Sequence, residues 1–188
     1  MSHDVAALAR HRQAVGASRR TGWVMVLAGI AGWLASFQLT VDDWRLLRDP
    51  AYQPPCDISP VVSCGSVMSS PQGSLFGFPN MLLGLGAFAA VAALGAAVLA
   101  GARLHRRLWL ALDAGAFVGV VFAHWLIGQS LYELNKLCPY CVGVWAVTIG
   151  LFWYVTLHCL ERGSSRLRGA SSTSCGTPTG CCSAPGTG

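Results

Sequence analysis

The sequence predicts an all-α integral membrane protein, a four-helix transmembrane bundle with an extracytoplasmic loop as its cap. Three observations predict it. Hydrophobic residues make up 53% of the 188-residue chain and charged residues only 11%, against about 25% charged in a soluble domain. Four apolar stretches, residues 22–40, 80–102, 108–131 and 139–160, are long enough for a hydrocarbon core of about 30 Å, which takes about 20 helical residues. None shows the period-two alternation of a barrel strand, so helices remain as the way to satisfy backbone groups in lipid.

Residues 1–21 read as a polar cytoplasmic segment. The first span follows it and lacks a small-residue cleavage site before Asp42, so it reads as a retained helix, not a signal peptide. Residues 22–161 form the transmembrane domain, with an external loop at 41–78. The last stretch, 162–188, is rich in Ser, Gly, Thr and Pro and reads as a disordered cytoplasmic tail.

Orientation follows from the basic residues. Arg10, Arg12, Arg19 and Arg20 precede the first span, Arg103, Arg106 and Arg107 join the second and third, and Arg162, Arg166 and Arg168 follow the fourth. The opposite side has Arg45, Arg48 and Lys136, outnumbered by Asp42, Asp43, Asp49, Asp57 and Glu133. Both termini are therefore expected in the cytoplasm and the 41–78 loop outside. The net charge of +5 is a topology signal, and no nucleic-acid partner is expected.

That topology sorts the eight cysteines. Cys56 and Cys64 fall in the external loop and Cys138 at the outer mouth of the fourth span, where disulfides persist. Cys141 lies one turn deeper. Cys159, Cys175, Cys181 and Cys182 fall on the reducing side, the last three as unpaired tail thiols. The loop is too long for a passive helix connection, which needs about 2 to 8 residues. It carries Ile58, Val61, Val62, Val67, Met68, Leu75, Phe76 and Phe78, which favours a folded cap at the membrane surface. Residues 63–70 fit a brief helix within it.

Cys138-Pro139-Tyr140-Cys141 sets two thiols on one helix face, roughly 4.5 Å apart along the axis. Zinc is one alternative for the four outer cysteines, opposed by the oxidising side and the lipid boundary. Structural disulfides are another, but a bond within such a pair closes almost no loop and adds little stability by chain entropy. Redox exchange is the reading that the arrangement favours. A helix N-terminus stabilises a thiolate, the attacking species, and proline is tolerated at the first helical position. A thiol at lipid depth can meet a membrane quinone, so electrons would run from an external dithiol through Cys56 and Cys64 to Cys138 and Cys141.

Cys56-Asp57-Ile58-Ser59-Pro60-Val61-Val62-Ser63-Cys64, then Phe76-Gly77-Phe78-Pro79-Asn80, then Cys138-Pro139-Tyr140-Cys141 resemble the vitamin K epoxide reductase family in its prokaryotic branch. The resemblance runs from about Gly22 to Glu161. It implies a bundle around a quinone of the menaquinone or ubiquinone type, with the loop as lid and no metal. It also implies that Cys64 forms a disulfide with Cys138, that Cys56 exchanges with the partner and that Cys141 faces the quinone ring. Asn80 matches the residue that hydrogen-bonds a quinone oxygen, and Ser70 the serine near the lid. Trp145 stands where vertebrate-type members have a pocket tyrosine, which makes it an apolar wall.

Some members carry a fused thioredoxin-like domain. This sequence reaches Gly188 without one, so the expected partner is a separate extracytoplasmic thioredoxin-fold protein of the DsbA-like kind. The implied function is a thiol:quinone oxidoreductase supporting disulfide bond formation. Reduction of a quinone epoxide is the alternative, and a helical membrane scaffold with structural disulfides is the alternative of another class. Read without the family, Asn80 is equally a helix cap. His124, polar within a span, is functional by default, and Asp113 is expected to pair with Arg106 or Arg107.

Overall fold

The computed structural model describes residues 14–171. Four helices are long and apolar enough to cross a membrane, at Arg19–Arg48, Met81–Leu99, Arg106–Leu134 and Pro139–Glu161. Residues 1–13 and 172–188, which include Cys175, Cys181 and Cys182, lie outside the described residues.

A two-residue strand β1 (Ala14–Val15) leads into helix α1 (Arg19–Arg48). Ser18 caps α1, its Oγ accepting from the Thr21 amide at 3.2 Å. The helix runs past the expected end at Thr40 because Leu39 and Asp42, three residues apart, share a buried face that Leu46 continues. It stops before Pro50, which disfavours helical backbone in the residue ahead of it.

The loop then builds the expected cap. Helix α2 (Cys64–Met68) is followed by a 3-10 turn at Pro71–Ser74, and helix α3 (Met81–Leu99) returns through the membrane. Gly101, at φ 89°, supplies the left-handed residue that lets the chain turn back. Strand β2 (Leu104–His105) pairs antiparallel with β1, fastening the segment before α1 to the connection after α3. Helix α4 (Arg106–Gly128) continues as a π-helical turn, Gln129–Leu134. Helix α5 (Pro139–Ser171) runs on through 162–171, a stretch that the sequence reading put in a disordered tail. No proline interrupts it before Pro178, and the backbone stays helical through Arg162-Gly163, where a glycine stop is tolerated at a cost of about 1 kcal/mol.

Small residues seat α1 against α3. A Cβ on Gly29 would lie 2.6 Å from the Ala92 amide nitrogen, and one on Gly95 would lie 2.8 Å from the Val26 nitrogen and 3.0 Å from the Gly22 oxygen. Close backbone approach of this kind is how helices associate in lipid, where burial alone gives little driving force. Met25, Val91, Val98, Trp109, Leu151 and Val155 complete the core at that end. Asp113 accepts from Thr156 Oγ1 at 2.7 Å, which corrects the expected pairing with Arg106 or Arg107. A hydroxyl on the facing helix satisfies the carboxylate at shorter reach.

In contrast, the backbones of α3 and α4 make little close approach, although a short connection joins them. The gap between them becomes the cavity described next.

Candidate functional site

Two backbone segments bring the loop cysteines to the mouth of α5. Val62 forms an isolated parallel bridge with Leu137, in which the Ser63 amide donates to Leu137 O at 3.0 Å and the Leu137 amide to Val61 O at 2.8 Å. Lys136 Nζ also donates to Pro60 O. Each chain has its cysteine one or two residues further on, so the ladder sets Cys64 beside Cys138. On the loop side, Ser63 Oγ accepts from the Ser66 amide at 3.2 Å and Asp57 Oδ1 from the Gly65 amide at 3.0 Å. These bonds cap α2.

Cys56 and Cys64 form a disulfide, while Cys138 and Cys141 are free thiols. The Cys138 sulfur lies 3.2 Å from that of Cys64. It also accepts from the Cys141 amide at 3.3 Å, as the capping group of α5. The hydrogen bond from the Cys141 thiol, helped by the Cys141 and Tyr140 amides, holds the Cys138 thiol below its ordinary range, against burial and the nearby Asp57 charge. A buried free thiol held toward its thiolate and touching a disulfide can exchange with it. The Cys64–Cys138 bond that the resemblance implies is thus not formed here, but its two sulfurs are adjacent.

Leu39, Met68, Val67, Met81 and Tyr140 pack around the sulfurs. Cys56 is only 5% exposed and Cys64 and Cys138 are fully buried, so the surrounding loop shields all three sulfurs from solvent. A polar network fastens that loop to α1. Buried Asp42 accepts from Tyr52 Oη at 2.9 Å and from Gln38 Nε2 at 3.1 Å, and Arg45 donates to Tyr52 Oη at 3.2 Å.

Cys141 opens onto a cavity of about 390 Å³ between the four spanning helices, within the range of about 300–1,000 Å³ for small-molecule sites. Its wall is mostly apolar, with Phe88, Val91, Leu112, Phe122 and Leu151 among the lining residues, and Gln72, Asn80 and Gln129 supply polar groups. An apolar space with few placed amides, open to a thiol, fits a flat lipid-soluble molecule with carbonyl oxygens. Among the described residues no group of three or more His, Cys, Asp or Glu is disposed to hold a metal ion.

The expected contact residues divide. Trp145 lines the cavity one turn beyond Cys141, and Asn80 lines it as well. Asn80 stands at the start of α3 without a side-chain cap bond, because its amide turns back to the lid: Nδ2 donates to Gln72 O at 2.6 Å and Oδ1 accepts from the Leu75 amide at 3.2 Å. Ser70 is outside the lining. Its hydroxyl donates to Val67 O at 2.7 Å and accepts from the Gly73 amide at 3.2 Å, holding the 3-10 turn. His124 bonds Val120 O in its own helix at 2.8 Å and does not line the cavity. The sequence reading passed over Gln72, Gln129 and the Asp42–Tyr52 pair, although Gln129 is, like His124, a polar residue inside an apolar span.

Two cysteine pairs in exchange contact at the mouth of an apolar cavity define a class, the helical membrane oxidoreductases that work through thiols. The particular family is given by sequence comparison: the family model described as Vitamin K epoxide reductase family matches residues 23–156, and the chain belongs to that family. It is thus a membrane-embedded, thiol-dependent oxidoreductase of the kind that acts on quinones or their epoxides. A comparison with curated proteins gave no match.

Proposed function

We propose that this chain is a thiol:quinone oxidoreductase that takes electrons from an extracytoplasmic thioredoxin-fold protein of the DsbA-like kind and delivers them to a menaquinone- or ubiquinone-type quinone, supporting disulfide bond formation. The single observation that carries the reading is the 3.2 Å approach of the Cys64 and Cys138 sulfurs, which links a loop disulfide to a dithiol whose inner member, Cys141, lines the cavity.

In this reading the partner dithiol reduces the Cys56–Cys64 bond and leaves as a disulfide. The Cys64 thiolate attacks Cys138 of an oxidised inner pair; a Cys64–Cys138 bond forms and Cys141 leaves as thiolate. Cys56 then attacks Cys64, the outer disulfide re-forms, and Cys138 is released. Two electrons have moved inward. An outer disulfide beside an inner dithiol, the arrangement described above, is the state poised to pass them on. A quinone in the cavity supplies an acceptor for two electrons and two protons. Asn80 and Trp145 line that cavity, and Ser70 acts through the turn that shapes the lid.

The functional unit in this reading is the 22–161 domain, with the 41–78 loop outside and both termini cytoplasmic. The β1–β2 pairing supports it, since the basic segment before α1 and the basic connection after α3 share one end. The test uses purified protein and two donors. Cys141→Ala should abolish quinone reduction while Cys138 still traps a disulfide with Cys64; normal turnover in that variant overturns the relay order. Cys56→Ser should lose oxidation of a thioredoxin-fold partner while dithiothreitol still drives quinone reduction, and equal loss with both donors would displace Cys56 as the partner-facing thiol.

A further inference from the structure

The cavity's polar groups are not equally available. Asn80 spends its side-chain oxygen on the Leu75 amide and one amide proton on Gln72 O, so it first holds the lid turn in place. Gln72, thus anchored through its backbone, reaches across the cavity mouth and donates Nε2 to Gln129 Oε1 at 3.4 Å. This bond is long, and it joins the lid to the far wall. Gln129 Nε2 forms no hydrogen bond among the described residues, yet Gln129 lines the cavity. Exchanging nitrogen and oxygen in both amides reverses the bond, but Gln129 Nε2 then gives only one of its two protons to Gln72 Oε1 and keeps the other, so Gln129 remains able to donate into the cavity in either orientation.

Gln129 also opens the π-helical turn Gln129–Leu134. Such turns are rare and cluster at functional sites, where an extra residue re-aims side chains. Here the turn is fastened from outside the helix, with the Lys136 amide donating to Ser130 O at 3.1 Å and Ser130 Oγ to Lys136 O, while Asn135 adopts the left-handed conformation at φ 51°. The same short segment that aims Gln129 at the cavity therefore delivers Cys138 to the head of α5.

Resting on the quinone reading above, we propose that Gln129 is the donor to a quinone carbonyl on the α4 side of the cavity, oriented by Gln72. Trp145 lines the same cavity as its aromatic wall. The substrate class this selects is a quinone with a carbonyl accessible beside the lid, since an amide N–H donor discriminates against a ring that offers no acceptor there.

The test is dithiothreitol-driven reduction of a short-chain ubiquinone analogue by the purified full-length protein. Gln129→Leu is expected to raise the quinone KM about five- to tenfold, the loss of one buried hydrogen bond, with kcat retained. Gln72→Leu should give a smaller rise. In the infrared, one carbonyl stretch of the bound quinone should move toward its free frequency in Gln129→Leu, a change that a purely structural role would not produce. Should Gln129→Leu fail to fold, Gln129→Glu keeps the volume while replacing the donor with an acceptor, and the same KM rise is expected. An unchanged KM and carbonyl band overturn the assignment, and if Cys141→Ala still abolishes turnover the quinone reading stands without it. No quinone reduction by the unaltered protein would remove the quinone reading itself.

Discussion

The two ends of the bundle are built on opposite rules. At the end marked by the β1–β2 pair, α1 and α3 meet backbone to backbone through Gly29 and Gly95, and an apolar cluster around Met25 and Val155 packs beside them. At the cysteine end a cavity lies among the four helices, and polar bonds fasten the loop that covers it. Lipid explains the division. Without a strong hydrophobic drive between helices, van der Waals fit is what holds spans together, and only a tightly fitted end can anchor an end that must stay open for substrate. Stability belongs to one half and exchange chemistry to the other.

The strongest way to break this comparison is to put a methyl group into the tight end. Gly29→Ala places a Cβ against the Ala92 backbone, whereas Gly86→Ala on α3 meets nothing within 4 Å. We expect Gly29→Ala to destabilise the detergent-solubilised protein by about 1–3 kcal/mol, the usual cost of overpacking. Gly86→Ala should be neutral or slightly stabilising. Equal thermal unfolding of the two variants would show that the glycine seam does not carry the fold.

The open end should respond differently, losing exchange before it loses stability. Tyr52→Phe deletes the hydroxyl that donates to buried Asp42 and accepts from Arg45. The expected cost is about 1–2 kcal/mol, confined to the loop. Its readout is faster reduction of the Cys56–Cys64 bond by dithiothreitol, because loosening the loop exposes a disulfide that is otherwise covered, with the melting of the helices little changed. A disulfide no more reducible than in the parent would detach the Asp42–Tyr52 bond from control of the lid.

The asymmetry also explains what the sequence made legible. Four spans, the brief loop helix and the meeting of the two cysteine pairs follow from apolar length, turn residues and motif order, all local signals. The gap between α3 and α4 does not, because consecutive helices with a short connection are expected to pack. Helix ends are hard to read from sequence where hydropathy fades before helicity does. Asp42 lies beyond the apolar stretch yet remains inside α1, and 162–171 continue α5 without an apolar pattern. Asn80 shows a further limit: its position announced a cap or a ligand contact, while the side chain holds the lid from eight residues away in sequence. Gln129 was readable by the rule applied to His124, and only three-dimensional placement separates the amide at the cavity from the imidazole that bonds its own helix.

The finest test of the division concerns charge at the exchange site. The Cys141 thiol and two helix-start amides favour the Cys138 thiolate, while burial and the Asp57 carboxylate oppose it. The midpoint for Cys138 ionisation, followed by thiolate ultraviolet absorbance with Cys138→Ser as blank, should therefore lie below that of an ordinary thiol. Asp57→Asn keeps an oxygen able to accept from the Gly65 amide but removes the negative charge. Because that charge raises the Cys138 pKa, the variant should titrate lower still, and exchange between the pairs should persist to more acidic pH. A midpoint that rises would mean that Asp57 acts chiefly as a cap, its loss disordering α2 and withdrawing Cys64 from Cys138. An unchanged midpoint would leave the helix start and the neighbouring thiol as the whole source of activation.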